Sequence, residues 1–120
     1  MDFTTAEELL EICNNNNQTI AQAMHLREVV YGDLDSDAVD LKMKNSLRIM
    51  RESAHKPLKE IVRSMGGMIG GEASKLESRR ISGKSICGNV LTKALIYSQA
   101  VLEVNASMGV IVAAPTAGSA

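Results

Sequence analysis

The chain has 120 residues, 45% hydrophobic and 22% charged, a balance that favours one globular domain over residues 1–120 and argues against disorder, collagen or a membrane span. Its net charge of −1 provides no overall field that would attract DNA, RNA or an acidic membrane. One Phe, two Tyr and no Trp also leave little material for stacking on nucleic-acid bases.

Helical spacing of apolar residues occurs along nearly the whole chain, whereas strict alternation is scarce, so we expect an all-α protein. Thr5 and Glu8 fit a capping box and predict a first short helix, which the four asparagines at 14–17 end. Thr19 and Gln22 repeat the pattern and predict a second helix that ends near Gly32.

A third helix is predicted from Asp35 or Ser36 onward, and its apolar positions are separated by three or four residues: Val39, Met43, Leu47, Met50, Ala54, Leu58, Ile61 and Met65. Pro57 interrupts this stripe without changing its phase. Because a proline inside a helix costs about 3 kcal/mol, we favour a break there over one kinked helix.

Four glycines within residues 66–71 predict a turn, after which a helix is expected from about Glu72 to Arg80. Residues 81–85 form a polar turn in which Ser85 is the expected cap of a final helix beginning at 86–89. This last helix is predicted to be the centre of a bundle of five to six helices, because it has a broad apolar face: Val90, Leu91, Ala94, Leu95, Ser98, Val101, Leu102, Asn105 and Met108.

Two short motifs invite a ligand-binding interpretation that their surroundings do not support. Gly83-Lys84-Ser85 ends like a P-loop, but Ser78 stands where the motif requires glycine, and no strand precedes it. The GxxG at 67–70 lacks the flanking strands of a KH domain. His25 and His55 have no partners at a metal-ligand or triad spacing.

Two other features are stronger candidates for binding. Asn105 falls on the apolar stripe of the last helix, where its amide must bond either a neighbouring turn or a ligand. Pro115 ends the preceding segment, and residues 116–119 then supply hydroxyls, a glycine and free amides, the composition of an anion-binding turn. A hydrophobic run followed directly by such a turn leads us to expect a longer protein.

The cysteines and the N-terminal residues indicate the cellular compartment. Cys13 and Cys87 fit no zinc-site spacing and no disulfide framework, which favours a reducing interior. The acidic start is unlike a signal or transit peptide, and the apolar tract at 101–114 is too short to span a bilayer. We expect a cytoplasmic protein.

Three stretches together resemble a known family: residues 82–85 (Ser-Gly-Lys-Ser), 103–109 (Glu-Val-Asn-Ala-Ser-Met-Gly) and 114–120 (Ala-Pro-Thr-Ala-Gly-Ser-Ala). They resemble the N-terminal part of the alpha subunit of bacterial iron-sulfur-dependent L-serine dehydratases. The resemblance implies a lyase that converts L-serine to pyruvate and ammonia with a 4Fe-4S cluster as Lewis acid. It also implies cluster ligands in a later part of the subunit, so this chain alone should bind no cofactor and be inactive.

The resemblance makes five residues candidates for holding the substrate carboxylate or shaping the cluster pocket: Lys84, Asn105, Thr116, Gly118 and Ser119. The same positions could instead only hold helix ends together, and no catalytic base or activating ion is identified. Expected partners are L-serine, a serine dehydratase beta subunit or domain, and a second copy of the chain. Two alternatives stay open, a cysteine desulfidase of related structure and a helical oligomerisation or partner-binding module.

Overall fold

Five α-helices form the regular secondary structure of residues 2–113, which is the part of the chain that the computed structural model describes, and no strand occurs there. The all-α prediction is therefore confirmed. The helices are α1 (Ala6–Asn15), α2 (Ile20–Gly32), α3 (Ser36–Lys59), α4 (Glu72–Ile81) and α5 (Gly88–Ala106). None of the helices in the described region is both long and apolar enough to cross a membrane.

The chain divides into two compact units, Met1–Asn45 and Ser46–Ala120. In the first unit α1 packs on α2, and both helices begin with the predicted capping boxes. The Thr5 hydroxyl accepts from the Glu8 N–H at 3.2 Å, and the Thr19 hydroxyl accepts from the Gln22 N–H at 3.2 Å. These local hydrogen bonds therefore determine where both helices begin. The expectation of a single domain over residues 1–120 stays a prediction.

The predicted break at Pro57 is wrong, because α3 runs through this residue and ends at Lys59. Pro57 lies in the last turn of α3, so only two residues of the helix follow the backbone position that the proline disturbs. Its ring is also fully buried, so the apolar contact offsets part of the cost of the missing N–H.

In the second unit α4 packs on α5, and most of the buried side chains of these two helices are small or aliphatic. Ala73 of α4 is fully buried, as are Ile96 and Ala100 of α5, and Val104 is 3% exposed. Small residues allow the two helix backbones to approach closely, which determines how the start of α4 faces the C-terminal half of α5.

The predicted core face of α5 is wrong. The side of the helix that packs within this unit carries Thr92, Ile96, Ala100, Glu103 and Val104, whereas most of the apolar face predicted from the sequence is exposed. The helix is apolar on both sides, so periodicity alone could not distinguish the side that contacts α4.

Candidate functional site

The N-terminus of α4 is capped by a carboxylate that comes from α5. Glu103 is completely buried, and its Oε1 accepts from the Ala73 N–H at 2.7 Å while its Oε2 accepts from the Gly71 N–H at 3.2 Å. Gly71 precedes the helix and has no side chain with which to cap it. Glu103 therefore satisfies two N–H groups that helix geometry leaves unpaired, and its negative charge faces the positive end of the helix dipole.

The glycine-rich loop before α4 is shaped by close backbone contacts. Its ends are joined by a hydrogen bond from the Ser64 N–H to the Ile69 carbonyl oxygen at 2.8 Å. Gly70 has a φ of 149°, and a Cβ at this position would overlap the Val62 carbonyl oxygen. Glycine is thus required at position 70 by both backbone conformation and space.

A second carboxylate lies beside the same helix start. The carboxylate of Glu72 accepts from the Gly70 N–H at 2.8 Å. The pKa of Glu72 is lowered, chiefly by a hydrogen bond from its own backbone N–H, with further contributions from Gly70 and Glu103. Because the side chains of Glu72 and Glu103 occupy the N–H groups of Gly70, Gly71 and Ala73, the start of α4 is not available to an external anion through these amides.

Lys84 lies in the turn that ends α4. The Gly83 N–H donates to the Arg80 carbonyl at 3.1 Å, and the Lys84 N–H donates to the Arg79 carbonyl at 3.2 Å, with Gly83 at a φ of 72°. This pair of bonds is a Schellman motif. The backbone donors that a P-loop would direct at phosphate are used to close the helix, so the rejection of a P-loop from sequence is confirmed.

Ser85 does not cap α5 as predicted. The N-cap residue of α5 is Cys87, whose side chain makes no capping bond, and the Ser85 hydroxyl instead pairs with the Thr92 hydroxyl. Thr92 is buried and also donates to the Gly88 carbonyl at 2.6 Å. Ser85 therefore fastens the turn to the side of α5 rather than to its first N–H groups.

Asn105 lies at the other end of α5 and is exposed, so its predicted burial is wrong. Its backbone carbonyl accepts from the Met108 N–H at 3.1 Å in the Schellman motif that ends the helix, but its side-chain amide has no hydrogen bond within the described residues. The sequence left two possible partners for this amide, a neighbouring turn and a ligand. Within the described residues no turn bonds it. The amide is available to a group from outside the described region.

The structure does not bring Lys84 and Asn105 together. Ser85, next to Lys84, pairs with Thr92, and the helical stretch from Thr92 to Asn105 alone is about 20 Å long, at 1.5 Å per residue. One small amino acid cannot contact both side chains. The three other candidates, Thr116, Gly118 and Ser119, lie outside the described residues.

A cavity of about 320 Å³ lies near the C-terminal end of α5 and is lined by residues of α3, such as Ser53 and Lys56, by Val104 of α5 and by Ser107 just after this helix. Asn105 does not line it. A smaller cavity of about 160 Å³ lies beside the Lys84 turn and includes Ser85 and Cys87, but not Lys84 itself. Neither of these two cavities is therefore lined by Lys84 or Asn105, the two candidate binding residues within the described region.

Metal ligands do not cluster in the part of the chain that the structure describes, where no group of three His, Cys, Asp or Glu side chains could hold an ion. Cys13 is buried in the first unit and Cys87 is exposed in the second, and both are free thiols. The Nε2 atom of His25 lies 3.1 Å from Oδ1 of Asp40, and the ring centroids of His55 and Tyr97 are 5.1 Å apart.

The structural role of Glu103 was missed by sequence analysis, although two signals pointed to it. One is a lone acid within an otherwise apolar helix, which must find donors if it is buried. The other is the start of α4, where glycines stand at the position that Ser, Thr, Asp or Asn normally occupies. The helix needs an acceptor for its first N–H groups and the buried carboxylate needs donors, so each satisfies the other.

Comparisons with known proteins identify the family of the chain. The sequence matches the family described as "Serine dehydratase alpha chain" over residues 5–120, and the chain belongs to this family. A "Probable L-serine dehydratase, alpha chain" of Bacillus subtilis (strain 168) is 36% identical over 118 residues, which are 98% of this chain and 39% of the relative. The "L-serine dehydratase, alpha chain" of Peptoniphilus asaccharolyticus is 36% identical over 117 residues, which are 98% of this chain and 40% of the relative.

A more distant relative is the "L-serine dehydratase" of Helicobacter pylori (strain J99 / ATCC 700824), 29% identical over 124 residues, with 98% of this chain and 26% of the relative covered. No solved structure matches the chain significantly. The chain thus spans about two fifths of the length of the two alpha chains that it resembles. The resemblance stated from the sequence is confirmed at the level of the family.

Proposed function

We propose that this chain forms the N-terminal helical part of the alpha chain of an L-serine ammonia-lyase. In the net reaction the Cα proton and the Cβ hydroxyl of L-serine leave as water, the resulting enamine tautomerises to an imine, and hydrolysis of the imine gives pyruvate and ammonia. The observation that carries the proposal is the family match over residues 5–120. The names of the two similar alpha chains support serine as the substrate.

In this proposal Lys84 and Asn105 act at separate places. Lys84 contributes a positive charge from the turn after α4, and Asn105 contributes an amide from the exposed face of α5, near the opposite end of that helix. Thr116, Gly118 and Ser119 supply hydroxyl and backbone donors that suit a carboxylate. Their position soon after Asn105 in the chain favours Asn105 as the partner of this turn at the substrate.

The 4Fe-4S cluster implied by the resemblance does not fit the described residues. Such clusters are held by about four ligands, usually thiolates, whereas this chain has one buried cysteine in its first unit and one exposed cysteine in its second. We therefore propose that other polypeptide supplies the ligands, that the 120-residue chain alone is inactive, and that a beta chain or domain completes the enzyme. The two free thiols fit a reducing compartment, and we propose a cytoplasmic location.

A chimaeric enzyme tests the proposal. This chain replaces the matched region of the Peptoniphilus asaccharolyticus alpha chain, which is then produced with a beta chain and reconstituted anaerobically with iron and sulfide. We expect iron-dependent release of pyruvate from L-serine. Sulfide release from L-cysteine without turnover of L-serine, or turnover without iron, would contradict the proposal.

Substitutions in the same chimaera test the two candidate side chains. Asn105→Ala should lower kcat/KM for L-serine by about tenfold to a hundredfold, the usual effect of losing a hydrogen bond to a charged group, whereas Lys84→Ala, which removes a charge at a separate place, should lower it by less than Asn105→Ala does. Lys93→Ala is the matched control, because Lys93 is also an exposed cation near the start of α5, and it should stay within about twofold of the parent. If both candidates behave like this control, neither contributes to the site.

A further inference from the structure

Helix α5 is apolar on two opposite sides. The inner side packs within the second unit through Thr92, Ile96, Ala100, Glu103 and Val104. Each residue of an α-helix is rotated by about 100° from the one before it, and on this basis a second set of residues lies about 180° around the helix axis from the inner side. We call this side the outer face of α5, and its residues are Val90, Leu91, Ala94, Leu95, Ser98, Val101, Leu102 and Asn105.

The outer face is largely exposed although its composition is that of a core. Val90 is 85% exposed, Leu91 55%, and Leu95 and Leu102 are each 48% exposed. Among the 19 residues of the helix only Lys93 and Glu103 are charged, and Glu103 is buried on the inner side. A helix that is apolar all round is normally buried on all sides, and contiguous exposed apolar patches of this kind mark an interaction surface.

We propose that the outer face of α5 is covered by the part of the alpha chain that lies outside the region matched here. This inference rests on the proposed function, because it takes the chain to be part of such an alpha chain. About three fifths of the length of each of the two similar alpha chains lies outside the matched region, since the matches span 39% and 40% of their lengths. That polypeptide is long enough to provide several further helices.

A covalently continuous occupant is favoured over a second copy of the chain. The apolar surface continues beyond the helix to Met108, which is 79% exposed, and Val110, which is 73% exposed. A segment of the same polypeptide meets the outer face at an effective concentration of about millimolar, whereas a second copy must associate from solution. Asn105 lies on the outer face, so the same occupant would enclose its open amide and complete a pocket.

Co-production of two polypeptides tests this inference without requiring catalysis. The tagged 120-residue chain is produced together with the rest of the Bacillus subtilis alpha chain as a separate polypeptide, and the amount retained on the tag is measured. We expect retention by the parent chain and a loss of about tenfold or more in the double variant Leu95→Lys, Leu102→Lys, as at the centre of an interface. The control Met65→Lys, Ile81→Lys adds the same charges at exposed apolar positions outside α5 and should stay within about twofold.

Thiol labelling provides a readout that does not depend on charged variants. Leu95→Cys in a Cys87→Ser background should react readily with a maleimide in the chain alone, and about tenfold or more slowly when the rest of the alpha chain is present. The inference is overturned if the parent retains nothing, if both double variants lose binding equally, if Leu95→Cys stays reactive, or if it is protected only by a second copy. Failure of serine turnover in an intact complex would instead count only against the proposed function.

Discussion

Removal of the Glu103 carboxylate should be among the most destabilising single changes in this chain. Glu103→Ala leaves the N–H groups of Gly71 and Ala73 buried without acceptors, since both residues are buried and Glu103 itself is fully enclosed. Each orphaned donor costs about 1–3 kcal/mol, and the lost side chain also leaves a cavity. We expect the free energy of unfolding to fall by about 3–5 kcal/mol, against a total of about 5–15 kcal/mol for a protein of this size.

The measurement is urea unfolding of the 120-residue chain followed by helical circular dichroism, with Leu102→Ala as the control. Leu102 is the neighbour of Glu103 but is 48% exposed, so its truncation should cost about 1 kcal/mol or less. Glu103→Gln keeps the shape of the side chain but presents an amide N–H₂ group toward backbone donors, and it should cost about 1–3 kcal/mol.

Hydrogen exchange separates this capping role from general packing. In Glu103→Gln one of the two amides, of Gly71 or Ala73, should exchange faster than in the parent by more than the global loss of stability explains, because the glutamine side chain keeps only one oxygen that can accept. A cost below about 1 kcal/mol for Glu103→Ala, or unchanged relative protection of these two amides, would refute the reasoning.

Two further predictions concern helix ends. Hydrogen bonds from Arg80 are the main cause of the lowered pKa of Glu77. The stabilisation by this pair is therefore present above the unfolded-state pKa of the carboxyl group and is lost as the pH falls through the lower folded-state pKa. The free energies of unfolding of the parent and Glu77→Gln should converge at acid pH, and a constant difference between them would contradict the assignment. Met108 has a φ of 61° where the Schellman motif favours glycine, so Met108→Gly should raise the free energy of unfolding by about 0.5–1 kcal/mol, whereas Gly83→Ala, at a φ of 72°, should lower it by about 1 kcal/mol. The urea midpoints of both variants check this, and the same sign for both would contradict it.

The helix starts of the first unit could be predicted from the sequence because their determinants are local. Thr5 and Glu8, like Thr19 and Gln22, lie within one turn of each other, so the sequence alone contains both partners of each bond. The glycine-led turn at Gly83 was predictable for the same reason. In contrast, the passage of α3 through Pro57 is accompanied by burial of the ring, which local propensity does not include.

The candidate site was less predictable because its determinants are far apart in the chain. Glu103 bonds Gly71 and Ala73 from 32 and 30 residues away, and neither glycine nor alanine indicates where the carboxylate comes from. Periodicity identified α5 as the most apolar helix but assigned the wrong side to the local core. The separation of Lys84 from Asn105, in contrast, could be predicted, because the sequence already indicated one long helix between them.

The two sides of α5 impose different requirements on the same helix. On its inner side the helix provides the cap that α4 lacks, so a charge is stabilised there by backbone N–H groups rather than by a cation. On its outer side a charge would have no such donors, and apart from Ser98 and Asn105 the face is aliphatic. A buried acid with its own donors and a bare apolar face are what a central helix needs if it fixes one neighbour locally and receives the others from more distant polypeptide. The family match and the two-fifths coverage of the similar alpha chains fit that arrangement.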